Sequence, residues 1–340
     1  MLLRICRRCS LTWRAECAHR HAQRRARPCL SAARVCRDVR LLRALQAGLA
    51  RRQGVGENPN MAELEPLNTE HSTPARVRAA SPDASASRAT PFFSIVVPTY
   101  RSEGVIATLL DSLVAQTEKD FELIISDGAS PDATLTSVEA YRSRLPRLQV
   151  ASRPDDGIYD AINKGIQISC GRWILVLGAD DQLADSQVLA MLRPTLDACS
   201  EPLVYGDVRV IGSNAMVPDG ARYGGRFTLA RMLGQNICQQ AVLYRRDLFE
   251  RLGLFDTRYR LWADWHFALR AFNIVQTRWV DMVVALYAAT GASSKSTDPV
   301  FQRDFARIIR QLLYERPVNA TLLAALARHW YWNFRSGRAA

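Results

Sequence analysis

Residues Arg172 to Asp185 read RWILVLGADDQLAD. The run Trp173–Leu177 is bulky, apolar and continuous, not alternating, and Gly171 and Gly178 bound it. A strand that shows no polar face is covered on both sides, so the stretch predicts a central strand of a sheet flanked by helices. Asp180 and Asp181 follow at its C-terminal end, the edge where open α/β sheets place their ligand crevice. Adjacent carboxylates there suit magnesium or manganese, which bind one or two carboxylates together with substrate phosphates. Taken alone, the pair reads more readily as a solvated turn before a helix capped by Asp185. A functional reading needs support from elsewhere in the chain.

Strand and helix alternate on either side of this stretch. Phe93–Val97 reads as a strand ending at Pro98, and Glu103–Gln116 carries Val105, Ile106, Leu109, Leu110, Leu113 and Val114 at helical spacing. Phe121–Ser126 is a second strand, broken by the turn Asp127–Asp132. A helix over about 133–141, a strand over 148–152 and a helix over 158–168 follow, the last introduced by Gly157. Three such units predict right-handed crossovers and a parallel sheet, the nucleotide-binding half of a doubly wound α/β fold. Beyond Asp185 the pattern changes: Leu203–Ile211 and Ala241–Tyr244 read as strands, and Asp264–Phe272 as a helix. From about Val300 the chain reads as helices, with Leu322, Leu323, Leu326, Trp330 and Trp332 on an apolar face. That face suits a core, or a membrane surface given Arg328, Arg335 and Arg338 nearby.

Charge and cysteine are concentrated at one end. Residues 1–60 hold 14 arginines, no lysine and three acids, which is +11 of the net +12 of the 340-residue chain. The body is therefore close to neutral, and no nucleic-acid partner is expected of it. Five of the eight cysteines (Cys6, Cys9, Cys17, Cys29, Cys36) and His19 and His21 share this segment. A zinc site, an arginine-rich transit peptide and a basic nucleic-acid arm are each compatible with that composition, but the cysteines lack paired metal-ligand spacing. The preferred reading is a disordered segment or mis-assigned start, with translation beginning at Met61 and a polar leader over 61–90. No stretch reaches the roughly 18 to 20 apolar residues of a membrane helix. Cys170, Cys199 and Cys238 are scattered, as a reducing cytoplasm allows.

Strand-end carboxylates recur at Asp127 and at Asp180–Asp181, and between them lies Pro154–Gly165, PDDGIYDAINKG. Together with SIVVPTY, the turn after Asp127 and RLGLFDTRYRLWADWHFALR, these motifs resemble glycosyltransferase family 2, and in particular its bacterial exopolysaccharide and lipopolysaccharide branch. The resemblance runs from about Phe92 to Tyr287 and implies the GT-A fold: a Rossmann-like, mostly parallel sheet with helices on both faces. It implies a domain over 91–290, with a nucleotide-binding half to 185 and an acceptor half beyond, and a C-terminal helical extension over 291–340.

The same resemblance implies roles. Pro98, Thr99 and Tyr100 match the loop that contacts the nucleotide base, and Asp127 matches the carboxylate that accepts a pyrimidine N–H. Asp156, Asn163 and Lys164 flank the donor, with Lys164 placed to offset phosphate charge. Asp180 lies near the ribose and Asp181 binds the Mn2+ or Mg2+ ion. Asp264 matches the general base; its plain structural alternative is a helix N-cap. Gln239, Gln240 and Trp265 fall in the acceptor and diphosphate region. The expected activity is metal-dependent inverting transfer of a hexosyl or acetamidohexosyl group from a nucleotide-diphosphate sugar to a glycan or lipid-linked acceptor. The expected place is the cytoplasm, peripheral at the inner face of the membrane, in cell-envelope polysaccharide biosynthesis. Two departures from the pattern, Ala263 where a glutamate is common and Gln239 where a histidine is, leave a non-catalytic nucleotide-sugar-binding protein as the alternative.

Overall fold

A computed structural model describes residues 90–212, 218–289 and 297–315. The chain divides into units 1–72 and 73–340, and everything below concerns the second. The readings made for 1–60, for the leader over 61–89 and for the apolar face from Leu322 to Trp332 lie outside the described residues.

The first half forms as its apolar runs predict. Strands β1 (Phe93–Thr99), β2 (Phe121–Asp127) and β4 (Trp173–Val176) are buried at every residue, whereas β3 (Leu148–Ser152) is only partly buried. Order β3-β2-β1-β4 places the three continuous runs inside and the alternating one at the edge, with every pair parallel. Side chains leave a strand on alternate faces. Ile95 and Val97 accordingly pack with helices α1 (Ile106–Val114) and α4 (Val188–Ala198) on one face. Val96 packs on the other with α3 (Ile158–Ile168). Helix α2 (Thr134–Glu139) links β2 to β3. Pro98 does not end β1: it pairs with Ser126, and the ladder to β4 stops at Val96, so its missing N–H is not needed on that side.

The second half changes the sheet from parallel to mixed. Strand β8 (Val242–Arg245) runs antiparallel to β4, and β6 (Leu203–Ile211) antiparallel to β8. Beyond them lie β9 (Thr277–Ala288), parallel to β6, and the short β5 (Gln182–Leu183), while β7 (Arg222–Tyr223) hangs from β6. The 12-residue β9 has no counterpart among the strands read from sequence. Arg278 and Asp281 interrupt its apolar pattern, and its burial comes from partners distant in the chain; Arg222 pairs with both Asp207 and Asp281. Helices α5 (Leu229–Met232), α6 (Asp247–Leu252), α7 (Ala263–Ile274) and α8 (Pro299–Glu315) complete the elements, with α7 within the core shared with α3 and β4.

Candidate active site

Register brings Thr99, Asp127 and Ser152 side by side at the C-terminal edge of the parallel strands. Asp127 is 2% exposed and accepts four hydrogen bonds of 2.5 to 2.9 Å, from the hydroxyls of Thr99, Ser130 and Ser152 and from the Ser130 N–H. Burial pushes its pKa up, but the bonds from Ser130, Ser152 and Thr99 outweigh it and hold the carboxyl below its ordinary value. A carboxylate offers about four acceptor positions, so protein donors fill them all. The expected bond from a base N–H therefore meets a saturated group, and Asp127 acts in this structure as the hub of the rim. Ser130 also accepts the Arg101 N–H, which ties down the loop after β1. Of the three expected base contacts, Pro98 and Thr99 are buried within β1, and only Tyr100, 57% exposed, is open to a ligand.

The segment before α3 also differs from its expected use. A Cβ on Gly128 would stand 2.3 Å from Asp155 Oδ2, so this glycine lets Asp155 lie against the turn after Asp127. Asp155 also accepts the Gly157 N–H. That Asp-x-Gly turn was the available signal for Asp155, whereas Asp156, the residue picked from sequence, is exposed. Asn163 is buried and spends both ends of its amide on the backbone of Phe255, at 2.8 and 3.0 Å. It fixes the turn before α7 instead of flanking a donor. Lys164 is engaged by the Pro154 carbonyl and by Asp160 one helical turn away, both at 2.8 Å, so its charge is already partnered.

Asp180 and Asp181 converge. A Cβ on Gly178 would lie 2.9 Å from Asp180 Oδ1 and 2.7 Å from Asp181 Oδ2, so both carboxylates fold back over the same glycine. Asp181 is 1% exposed; Oδ2 accepts from the Gly178 N–H and from Gln240 Nε2, and Oδ1 from the Ala288 N–H. Burial, with the charge of Asp180 adding to it, raises its pKa to about 7 against those bonds. Asp185 does not cap α4: its carboxylate bonds the Gln187 N–H two residues on, and the N-cap is Gln187.

Asp264 is the second residue of α7 and Trp262 is the N-cap, so capping does not explain it. Its carboxylate is buried, with Oδ1 accepting from the Tyr159 hydroxyl and Oδ2 from Asn236 Nδ2, both at 2.7 Å. Burial raises its pKa, and the two bonds offset only part of that. The same short segment reaches both acids, since Asn236 bonds Asp264 and Gln240 bonds Asp181. Between them Cys238 feels the charge of both carboxylates, and burial raises its thiol pKa well above the ordinary value.

The sequence model of Glycosyl transferase family 2 matches residues 94–253. A PGL/p-HBAD biosynthesis glycosyltransferase of Mycobacterium tuberculosis is 38% identical over 248 residues, covering 71% of this chain and 92% of the relative. The chain belongs to glycosyltransferase family 2. The uncharacterized glycosyltransferase EpsJ of Bacillus subtilis is 28% identical over 194 residues, which are 54% of this chain and 56% of EpsJ. The structure of S. aureus TarS 1–349 superposes with a TM-score of 0.56 at 22% identity, over 72% of this chain and 73% of that one, and so shares the GT-A fold.

In this glycosyltransferase the donor set for a divalent cation is small. Among the described residues no group of three or more His, Cys, Asp or Glu side chains forms a metal site. The residues present still fit one: Asp181 Oδ1 accepts a single bond, which leaves it an open lone pair, and the Asp180 carboxylate folds back over Gly178 beside that of Asp181. Two carboxylates completed by substrate phosphates are a usual arrangement for magnesium or manganese. Of the two glutamines expected at a diphosphate, Gln240 donates from Nε2 to Asp181 Oδ2, and the neighbouring Gln239 Nε2 is buried without a partner. Trp265 gives its indole N–H to the Met232 carbonyl and stacks on Phe301, so it braces α5 and α8 against α7 and offers no polar contact to an acceptor. Tyr159, Asn236 and Asp155 are the site residues that sequence reasoning missed. Tyr159 lies inside a quoted motif and Asn236 just before Gln239, but neither spacing discloses a partner 105 or 28 residues away.

Proposed function

We propose that this glycosyltransferase moves one sugar from a nucleoside-diphosphate sugar to a hydroxyl of a glycan or lipid-linked acceptor, inverting the anomeric carbon, in cell-surface glycan assembly. The observation that carries this reading is the shared segment: residues 236–240 hold Asp264 at one end and Asp181 at the other. A carboxylate with a raised pKa then stands in the same site as a carboxylate pair suited to a diphosphate. Asp264 takes the proton of the acceptor hydroxyl as its oxygen bonds the anomeric carbon and the bond to the diphosphate oxygen breaks. One displacement inverts the centre, so no nucleophilic second carboxylate is required. Asp180 and Asp181 would hold Mn2+ or Mg2+, whose charge would offset that on the departing diphosphate. The nucleotide base docks beside Tyr100 on the rim that Asp127 braces.

Ala263 is wholly buried in the core, so the absence of a glutamate there removes no side chain from the base itself. The intact Asp181 and Asp264 argue for catalysis over a non-catalytic binding role. The relative's part in PGL/p-HBAD biosynthesis supports a biosynthetic transfer. Among the described residues no helix is long and apolar enough to cross a membrane, and a lipid-linked acceptor would bring the enzyme to the inner membrane surface peripherally. Thermal-shift screening of nucleotide sugars with and without Mn2+ identifies the donor, since ligand bound to the native state raises the melting point. Transfer is then measured with that donor, and wild-type transfer by Asp264→Asn would refute the base assignment.

A further inference from the structure

Among the described residues, the titratable groups that share the surroundings of Asp264 are three tyrosines and a cysteine. Tyr159 faces it from α3, Tyr223 from β7, Tyr244 from β8 and Cys238 from the 236–240 segment, and burial raises the pKa of all four, so each is neutral near pH 7. A carboxyl in such surroundings keeps its proton unless neutral donors stabilise the charge. Tyr159 and Asn236 are the two side-chain donors, one on each carboxylate oxygen. They differ in one respect. The Tyr159 oxygen also lies 3.1 Å from the Leu261 carbonyl, a second acceptor for its single hydrogen. Asn236 has no such alternative: its Nδ2 only donates, its Oδ1 is buried without a partner, and its backbone carbonyl is held by the Tyr223 hydroxyl.

We propose that Tyr159 and Asn236 are positioning residues that hold Asp264 ionised and aimed before transfer, and that Tyr159 releases it afterwards by turning its O–H to the Leu261 carbonyl. The proton that leaves the acceptor hydroxyl ends on Asp264. Tyrosine keeps its own proton, and its oxygen becomes free to accept from the newly formed carboxylic acid. Asn236 could accept only by turning its whole amide over inside the buried site, whereas Tyr159 need only rotate its hydroxyl hydrogen, so Asn236 favours the ionised form. This inference rests on the reading of Asp264 as the base.

The test uses full-length protein labelled with 13C at the aspartate carboxyl carbons. The Asp264 signal is identified by its loss in Asp264→Asn and titrated in wild type, Asn236→Ala and Tyr159→Phe. Asn236→Ala is expected to raise the midpoint by about one pH unit, the size of a charge-assisted hydrogen bond. Tyr159→Phe keeps the ring that packs against Phe255 and is expected to raise the midpoint by less, because the hydroxyl serves both protonation states. The acid limb of the transfer rate should move upward with each midpoint, while the donor KM stays unchanged. Unmoved midpoints in both folded variants would overturn the proposal, and a larger shift in Tyr159→Phe than in Asn236→Ala would overturn the release step. Failure of the base reading has a different signature: Asp264→Asn would transfer sugar whatever the titrations give.

Discussion

Asp127 and Asp264 are both buried carboxylates, one on the strand-end rim of the first half and one at the start of a helix in the second. Their surroundings pull them apart. The rim supplies Asp127 with four donors, and its pKa falls despite burial. Asp264 receives two side-chain donors, Tyr159 from the first half and Asn236 from the second, and burial prevails. The balance between burial and hydrogen bonding thus differs in sign at the two acids, and by the proposed reading it separates a bracing carboxylate from a proton-accepting one. A fully bonded Asp127 with a lowered pKa is a poor base, whereas burial shifts Asp264 upward, the direction that makes a carboxylate a better proton acceptor.

The largest effects should come from breaking the chemical side of this contrast. Asp264→Asn and Asp181→Ala should each lower transfer by at least about two orders of magnitude, the usual worth of a base or comparable group. Only Asp181→Ala should also remove Mn2+-dependent thermal stabilisation by the donor; losing it in both would deny the two acids separate tasks.

Next comes the rim. Asp127→Ala leaves three hydroxyls and one N–H without their acceptor and should cost about 3 kcal/mol in urea unfolding. A cost below about 1 kcal/mol would mean that the rim stands without its hub.

The two acids should also give stability profiles of opposite sign. Asp127, with its lowered pKa, contributes stability that is complete above the unfolded carboxylate value of about 4 and is lost as pH falls through the folded value. Asp264, with its raised pKa, makes stability fall as pH rises from about 4 through its folded value. Asp127→Asn should flatten the acid side of the curve and Asp264→Asn the decline above it, as read by melting temperature against pH.

The smallest effect tests the neighbouring helix. Lys164→Met removes a partly exposed ion pair and should change stability by less than about 1 kcal/mol. Its donor KM should stay within about twofold of wild type, by the reading of Lys164 as already partnered. A large rise in donor KM would return it to the phosphate site.

The central strands of the first half, β1, β2 and β4, were legible because each is a largely apolar run that lies between two covered faces. The mixed half was legible only in part: β6, β8 and α7 were read, but β9 carries Arg278 and Asp281 within its span and is a strand because β6 and β5 pair with it. Asp127, Asp180, Asp181 and Asp264 were legible as motif positions, whereas Asn163 and Lys164 shared a motif without sharing its task. Their side-chain bonds depend on what α3 packs against, and that is absent from local spacing.

The sequence by itself determined which residues form the central strands and which acids sit at their ends, since apolar continuity and turn chemistry act over a few residues. Tertiary structure alone decided what those acids became. Donors from positions as far away as Ala288, 107 residues after Asp181, and Tyr159, 105 before Asp264, set the charge each carboxylate can keep. A buried carboxylate's ionisation depends on the few groups within hydrogen-bonding distance, and folding chooses those groups.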